Sequence, residues 1–410
     1  MRIGEIRKEW LGDRARIEGA VVWEDCGREP VRLYYEMPAP FGAALEPRAE
    51  AFLLAGVIPA MDQGERRVRL EGTLCPELRD NVSAALRVLH AWHGTRPPAI
   101  EATQGFRVAA PPAAPRVAAT MSGGIDSLAT LRANRLAVPR DHPASIRDAF
   151  AIFGMNTYDH DERGAVPARL RDFEERLARW RPLAAQEGLE LIPVYTNMRA
   201  LPPSFEAWRG HTLGAGLASV AHAFGARVTK LLIPSPGYPG IPNVAGQHPM
   251  LDDNFCSATL QVFHHGLWMS RLEKTRLVAE WEAGMAILQP CQQIELGSPT
   301  PNCGHCNKCW RTMLTLFALG RLEAAHTFPP CQIDAGSIGA LKIDTDHEVS
   351  FLEEIAEALR PRGGGLAKAL EARLARYRRK RSAAVRAAAA AARRSSLLRR
   401  AFGRGPRSRA

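Results

Sequence analysis

A short apolar run, Val117 to Met121, breaks into Ser122-Gly123-Gly124, and a helical pattern begins at about Asp126. That order of strand, glycine turn and helix constrains the fold more than any other stretch of the chain. Two glycines let the main chain come close to a bulky anion, and the free N–H groups of the first helical turn point at it. The Ser122 and Ser127 hydroxyls add donors. Asp126 can cap the helix or help to hold a magnesium ion. No Lys-Ser/Thr follows the glycines, so the common nucleoside-triphosphate P-loop is absent. G-x-G-x-x-G does not fit either, which leaves a dinucleotide fold without support.

Three more apolar runs follow: Ala149 to Met155, Leu189 to Val194 and Val228 to Ile233. Between them lie a helical stripe (Leu170, Phe173, Leu177, Trp180, Ala184) and a small-residue helix from Leu213 to Phe224. Apolar strands alternating with helices predict a parallel sheet covered on both faces.

A chain of 410 residues exceeds what one core usually organises. Residues 1–110 read as a separate α+β accessory module. Val31, Leu33, Tyr35 and Met37 alternate as in a half-buried strand, as do Val68 and Leu70. Helical stripes run through Phe52 to Met61 and Leu78 to Trp92. Pro111, Pro112 and Pro115 mark the boundary. Residues 116–331 carry the glycine turn and a cysteine cluster. Residues 332–380 read as a helical extension, with stripes at Val349, Leu352, Ile355, Leu359 and at Leu366, Leu370, Leu374, Tyr377. The Ala-, Arg- and Ser-rich segment 381–410 is expected to be a disordered tail.

The net charge of +11 belongs to that end of the chain. From Arg360 onward there are 17 Lys and Arg against the single acid Glu371, so the rest of the chain is mildly acidic. The tail is expected to contact a polyanion, whether RNA, DNA or an acidic protein. No apolar run approaches the ~18 residues of a membrane span, so no membrane partner is expected. The start, Met1-Arg2-Ile3-Gly4-Glu5, lacks the pattern of a secretory signal, and a cytoplasmic location is expected.

Cys303-Gly304-His305-Cys306-Asn307-Lys308-Cys309 puts three cysteines in one tight loop. Four thiolates satisfy a tetrahedral structural zinc ion. Cys291 is the best fourth ligand, with Cys331 and His305 as alternates. An iron–sulfur cluster needs the same four residues. A redox C-x-x-C leaves the third cysteine without a role.

Ser122-Gly123-Gly124-Ile125-Asp126-Ser127 resembles the PP-loop signature, S-G-G-x-D-S, of the ATP pyrophosphatase superfamily. The resemblance implies a doubly wound α/β domain of the adenine nucleotide alpha hydrolase type, whose loop grips the pyrophosphate end of ATP. It further implies adenylation, in which a substrate oxygen attacks the α-phosphorus and pyrophosphate leaves. Ser122, Gly123, Gly124, Asp126 and Ser127 match the signature positions. Thr120 and Met121 then flank the nucleotide, and adenine lies near Phe153 to Asn156. Together with the later C-x₁₁-C-x₂-C-x₂-C run, the chain is similar to the 7-cyano-7-deazaguanine synthase (QueC-like) branch over roughly residues 116–320. That branch implies an AMP-forming carbon–nitrogen ligase using ATP and Mg²⁺, with Zn²⁺ on Cys291, Cys303, Cys306 and Cys309. Its substrates are a small-molecule carboxylate and ammonia or an amine. A lysine is kept there at a place comparable to Lys274, and a cation at Lys274 or Arg271 can neutralise the departing pyrophosphate. The expected catalytic residues are Asp126, Ser127, Arg271 and Lys274. The leading module and the tail depart from the compact synthase, so this chain is expected to be a paralogue with a substrate of its own.

Further candidates are Arg311 after the metal loop, His211 at the head of a helix, and Asp159-His160-Asp161 after the second core strand. The polar loop from Gly246 to Asn254 is a candidate lid. Two rival readings share the fold: a tRNA-modifying sulfur transferase using Cys256, and a non-catalytic nucleotide-binding subunit of a larger assembly.

Overall fold

The computed structural model describes residues 1–156, 159–161, 164–237, 245–293, 299–339, 341–343, 345–362 and 365–383. The first strands, β1 (Arg2–Leu11), β2 (Arg14–Val22) and β3 (Val31–Pro38), form an antiparallel meander. β4 (Arg67–Leu70) and β5 (Ala99–Ala102) add to it in parallel beside β1. Helices α1 (Ala49–Asp62) and α2 (Pro76–His93) connect these strands. The second part runs β6 (Arg116–Thr120), α3 (Ile125–Ala137), β7 (Ile146–Phe153), α4 (Pro167–Glu187), β8 (Glu190–Thr196), α5 (Leu213–Ala223), β9 (Val228–Pro234) and β10 (Gln261–His265). α6 (Arg271–Ala279), α7 (Asn307–Ala318) and α8 (Asp346–Leu359) follow, and a last helix spans 365–383.

These ten strands form one sheet, in the order β10-β9-β6-β7-β8-β3-β2-β1-β4-β5, and His160–Asp161 pairs with Gly164–Ala165 in a separate small ribbon. From β10 to β8 every neighbour is parallel. The chain enters this parallel stretch at its centre, winds outward through β7 and β8, then returns to the other side of β6 with β9 and β10. The strand order therefore reverses between β6 and β9, which opens a crevice at their carboxyl ends.

Alternate residues of these strands face opposite cores. Ala118, Phe150, Ile192, Val194, Leu231 and Ile233 pack beneath α1 and α5. Val117, Ala119, Ala149, Ala151, Phe153 and Leu232 pack beneath α3, α4 and the metal-loop helix α7. The expected large, mostly parallel sheet with helices on both faces is thus observed.

Residues 1–110, expected as a separate module, are continuous with the rest. The end of β8 pairs antiparallel with β3, Tyr195 opposite Glu36 and Thr196 opposite Tyr35. Asn197 clamps the junction, its amide oxygen accepting from Tyr34 N–H at 3.1 Å and its amide donating to Arg32 C=O at 2.9 Å. Buried in the same core, Tyr35 donates its hydroxyl to Ser219 of α5 at 2.9 Å or to Ala51 C=O at 3.2 Å. An open β8 edge would present unpaired backbone groups; β3 satisfies them. The proline-rich stretch 111–115 falls between β5 and β6, without regular structure.

The extension packs on α7. Leu314 and Ala318 of α7 share a core with Leu352, Ile355 and Leu359 of α8 and with Leu370 and Leu374 of the last helix. A reciprocal capping box between Thr345 and Glu348 starts α8. Of the expected tail, residues 381–383 continue the last helix and 384–410 lie outside the described residues. Among the described residues no helix is long and apolar enough to cross a membrane.

Candidate functional site

The Ser122–Ser127 loop sits where β6 ends beside the crevice. Gly123 takes φ +72°, a region that disfavours side chains, and a Cβ there would stand 2.7 Å from the Trp180 ring of α4. Its carbonyl accepts from Gln289 N–H at 2.7 Å, and Arg179 donates to the Gln289 amide oxygen at 3.0 Å. Ser127 donates its hydroxyl to Gly124 C=O at 3.0 Å, while Ser122 and Ser127 hydroxyls lie 3.2 Å apart. The Ser122 and Gly124 amides reach only hydroxyls, at 3.3 and 3.4 Å. Backbone bonding in α3 starts with Leu128 N–H to Gly124 C=O. The amides before it form the open, partly positive end of the helix.

Asp126 does not cap this helix. Gly124 is the N-cap and no side chain bonds there. The carboxylate turns instead to Arg271, whose Nη1 donates to both of its oxygens at 2.7 and 2.6 Å. Arg271 stands at the first turn of α6, started by the Ser270–Glu273 capping box. One turn on, Lys274 is buried, and its Nζ donates to Ser235 and Gly237 carbonyls at 2.8 and 3.0 Å. Those carbonyls belong to the segment that leaves β9, so Lys274 ties the first turn of α6 to the end of that strand. Burial pushes its ammonium down to about 8, opposed by Asp126 and aided by Arg271.

Two more cations arrive on α7. Lys308 is exposed in the first turn of α7. Crowding, then Arg311 and Arg271, push it down to about 8. Arg311 is pushed down to about 10 by burial and then by Arg271. Arg209 adds to both effects, and Asp126 opposes them. Among the described residues the ion pair within this group is Arg271–Asp126. Glu348 and Asp126 oppose the shift of Arg311, and Asp126 and Glu354 that of Lys274, so these cations stand among three carboxylates beside the open backbone amides.

The extension reaches the same place. Phe351 of α8 is buried, with the Arg271 guanidinium 5.8 Å and the Arg311 guanidinium 5.4 Å from its ring centre. Glu354 accepts from Leu272 N–H at 3.1 Å. Sequence reasoning missed Lys308, Arg209, Phe351 and Glu354. For Lys308 there was a signal, since it sits between the last two cysteines of the run.

The four thiols of Cys291, Cys303, Cys306 and Cys309 lie within 4.8 Å of one another and could hold a metal ion. Two of their edges, Cys291–Cys306 and Cys303–Cys309, are 3.8 Å. A tetrahedron with ~2.3 Å zinc–sulfur arms has edges of about 3.8 Å, so the donor set fits that ion. Hydrogen bonds from Cys291 and then Cys309 push the Cys306 thiol well below its usual range. Asn302, fully buried, donates to Leu288 and Thr327 carbonyls at 2.9 Å and accepts from Cys291 N–H at 3.2 Å. Leu288 and Cys291 flank Gln289, which holds the Gly123 carbonyl, so the metal loop and the glycine loop share one support. Cys331 stands outside the group, and His305 is turned to the Cys303 carbonyl at 2.9 Å.

The remaining candidates have the following partners. Asp159 accepts from the Gly154 and Asn156 amides at 2.9 Å each, which fixes the loop after β7. His160 lies 3.2 Å from the Tyr34 hydroxyl. His211 meets Asp62 at 2.7 Å and stacks on His93. The expected lid is fastened: Gly214 N–H bonds Gly246 C=O at 2.8 Å, and buried Asp252 meets buried His264 at 2.6 Å. Thr120 is half-buried and Met121 buried at the strand end. Cys256 accepts from Val262 N–H at 3.1 Å, and burial pushes its thiol up. Comparison with protein-family models, with curated proteins and with solved structures returned no match.

Proposed function

We propose that this chain is an AMP-forming, ATP-dependent carbon–nitrogen ligase of the PP-loop type, resembling the 7-cyano-7-deazaguanine synthase branch. The observation that carries the reading is the position of the Ser122–Ser127 loop. It lies at the point where the parallel strand order reverses, with Arg271, Lys274, Lys308 and Arg311 gathered around it. Ligands of open α/β sheets bind at such a point.

In this reading the backbone amides from Ser122 to Ser127 and the two hydroxyls receive the β- and γ-phosphates of ATP. The four cations take up charge as pyrophosphate departs. The substrate carboxylate attacks the α-phosphorus, and ammonia or an amine then displaces AMP. Positioning and charge supply the catalysis, and no side-chain nucleophile is needed. Asp126, once released by Arg271, is the carboxylate that can share a Mg²⁺ ion with the phosphates. Cys291, Cys303, Cys306 and Cys309 would hold Zn²⁺ in a structural role, and Cys306 and Cys309 flank and enter the first turn of α7, which carries Lys308 and leads to Arg311. Adenine is assigned to the region of Asn156.

The bonded, high-pKa thiol of Cys256 counts against sulfur transfer. The test is release of pyrophosphate from ATP over a panel of carboxylates, 7-carboxy-7-deazaguanine among them, with Asp126→Ala as the blank. Products of ADP and orthophosphate would refute the adenylation chemistry. ATP binding without turnover on any carboxylate would favour the non-catalytic subunit.

A further inference from the structure

We propose that Phe351, from the C-terminal extension, is a positioning residue of the anion site: its ring holds the Arg271 and Arg311 guanidiniums at the glycine loop. The inference rests on the anion-site reading above and adds a part of the chain that the PP-loop resemblance does not cover.

The two arginines come from different helices. Arg271 heads α6, and Arg311 lies in the second turn of α7. Both carry the same charge and so repel one another; Arg271 is held on one side by Asp126. The ring of Phe351 lies against both, at 5.8 and 5.4 Å, inside the ~6 Å reach of a cation–π contact. Phe351 is 3% exposed, so its side of the contact is desolvated.

The ring is itself held. Glu354, one turn along α8, accepts from the Leu272 amide beside Arg271 at 3.1 Å. The Leu352, Ile355 and Leu359 face of α8 is buried with Leu314 and Ala318 of α7. α8 thus bridges α6 and α7 and sets the spacing of the two guanidiniums. An arginine that must be immobilised on binding loses rotamer freedom at that moment. Stacked on Phe351, the pair has already lost it, so anion binding is spared that cost. An aliphatic side chain would fill the space without the attraction of the ring face.

The test uses the full chain and inorganic pyrophosphate, titrated calorimetrically at low and high salt. Phe351→Leu is expected to weaken binding about tenfold, the size expected when two stacked guanidiniums are released together. Phe351→Tyr, which keeps the ring, is expected to restore it. Metal content and thermal midpoint monitor the fold, and Phe351→Met fills the volume if the leucine variant is unstable. Equal weakening by Leu and Tyr would assign the effect to packing and overturn the proposal. Unchanged binding by Phe351→Leu, with Arg271→Ala and Arg311→Ala both weakened, would overturn it while leaving the anion site standing. Pyrophosphate binding indifferent to the two arginines would overturn the anion-site reading and this proposal with it.

Discussion

The Arg271 guanidinium gives its Nη1 hydrogens to both oxygens of Asp126, at 2.7 and 2.6 Å, and so ties the first turn of α6 to the first turn of α3. The pair keeps a cation poised over the glycine loop, but it also occupies that cation. A phosphate group arriving at the loop has to compete with Asp126 for Arg271. Asp126→Asn is therefore expected to tighten metal-free pyrophosphate binding by about two- to fivefold, the worth of one partly exposed ion pair. On the proposed reading the same variant is expected to cut ATP-dependent pyrophosphate release by roughly a hundredfold or more, since it removes the carboxylate proposed to share Mg²⁺. Calorimetry and a product assay on one preparation check both signs. Weaker metal-free binding by the asparagine variant would mean that Asp126 helps to form the site instead of competing for it.

Metal loss offers a second check, because the cysteine cluster and the glycine loop are braced through Asn302 and Gln289. Cys303→Ser and Cys306→Ser are each expected to abolish stoichiometric zinc and lower the thermal midpoint by about 5–10 °C. Cys331→Ser is expected to leave zinc content unchanged, since its thiol lies outside the cluster. Retention of zinc by Cys291→Ser together with its loss in Cys331→Ser would reassign the fourth ligand.

The parts of this fold that were legible in the sequence are those where one strong pattern decides. Val117 to Met121 running into two glycines, the apolar runs of β7, β8 and β9, and the α4 stripe each describe a buried strand or a one-sided helix. β1 and β2 escaped notice for a physical reason. Arg7 of β1 and Arg14, Arg16 and Glu18 of β2 pair with one another and with Arg32 and Glu36 of β3, so charge interrupts the apolar alternation. In β1 the register also shifts between Gly4 and Arg7, with Glu5 at φ +52°, which breaks the period of two. β10 reads Gln-Val-Phe-His-His and lies at a sheet edge with little to bury. The union of residues 1–110 with the main sheet depends on β3 meeting β8 across more than 150 residues of chain, a pairing that no local pattern encodes.

Within the site, cysteine spacing and the glycine turn pointed to their own neighbourhoods, as did Arg271 and Lys274. Phe351 did not, because its stripe on α8 reads as ordinary core. Its contact with two arginines is tertiary.

Lys274 predicts a pH profile. Its ammonium, pushed by burial to about 8, is charged below that pH and neutral above it, with Asp126, Arg271 and Glu354 as its charged neighbours. Pyrophosphate binding is expected to weaken as pH rises through about 8, relative to Lys274→Met. The ligand's own titration is common to both proteins, so the difference between the two profiles isolates the lysine. Superimposable profiles would exclude Lys274 from anion binding.

Among the described histidines, His222 and His265 are pushed down to about 4 and are expected to cost stability in acid. His222 is buried in α5, its Nε2–H donating to Phe255 C=O at 2.9 Å, and burial pushes its pKa down to about 4. His265, at the end of β10 and 3.2 Å from the Thr130 hydroxyl, is pushed to about 4 by burial and then by Lys274. Unfolding returns both to the ordinary range near ~6.5. Between about 4 and 6.5 the unfolded chain therefore binds more protons than the native one, and stability rises with pH there. Each histidine is expected to remove roughly 3 kcal/mol as pH falls across that window. Urea unfolding at pH 7, 5.5 and 4.5 measures the slope. His222→Asn, which keeps a donor for Phe255 but cannot take up the proton, is expected to flatten it by about half. An unaltered slope in that variant would show that His222 is already protonated in the native core, and that its burial does not govern the acid transition.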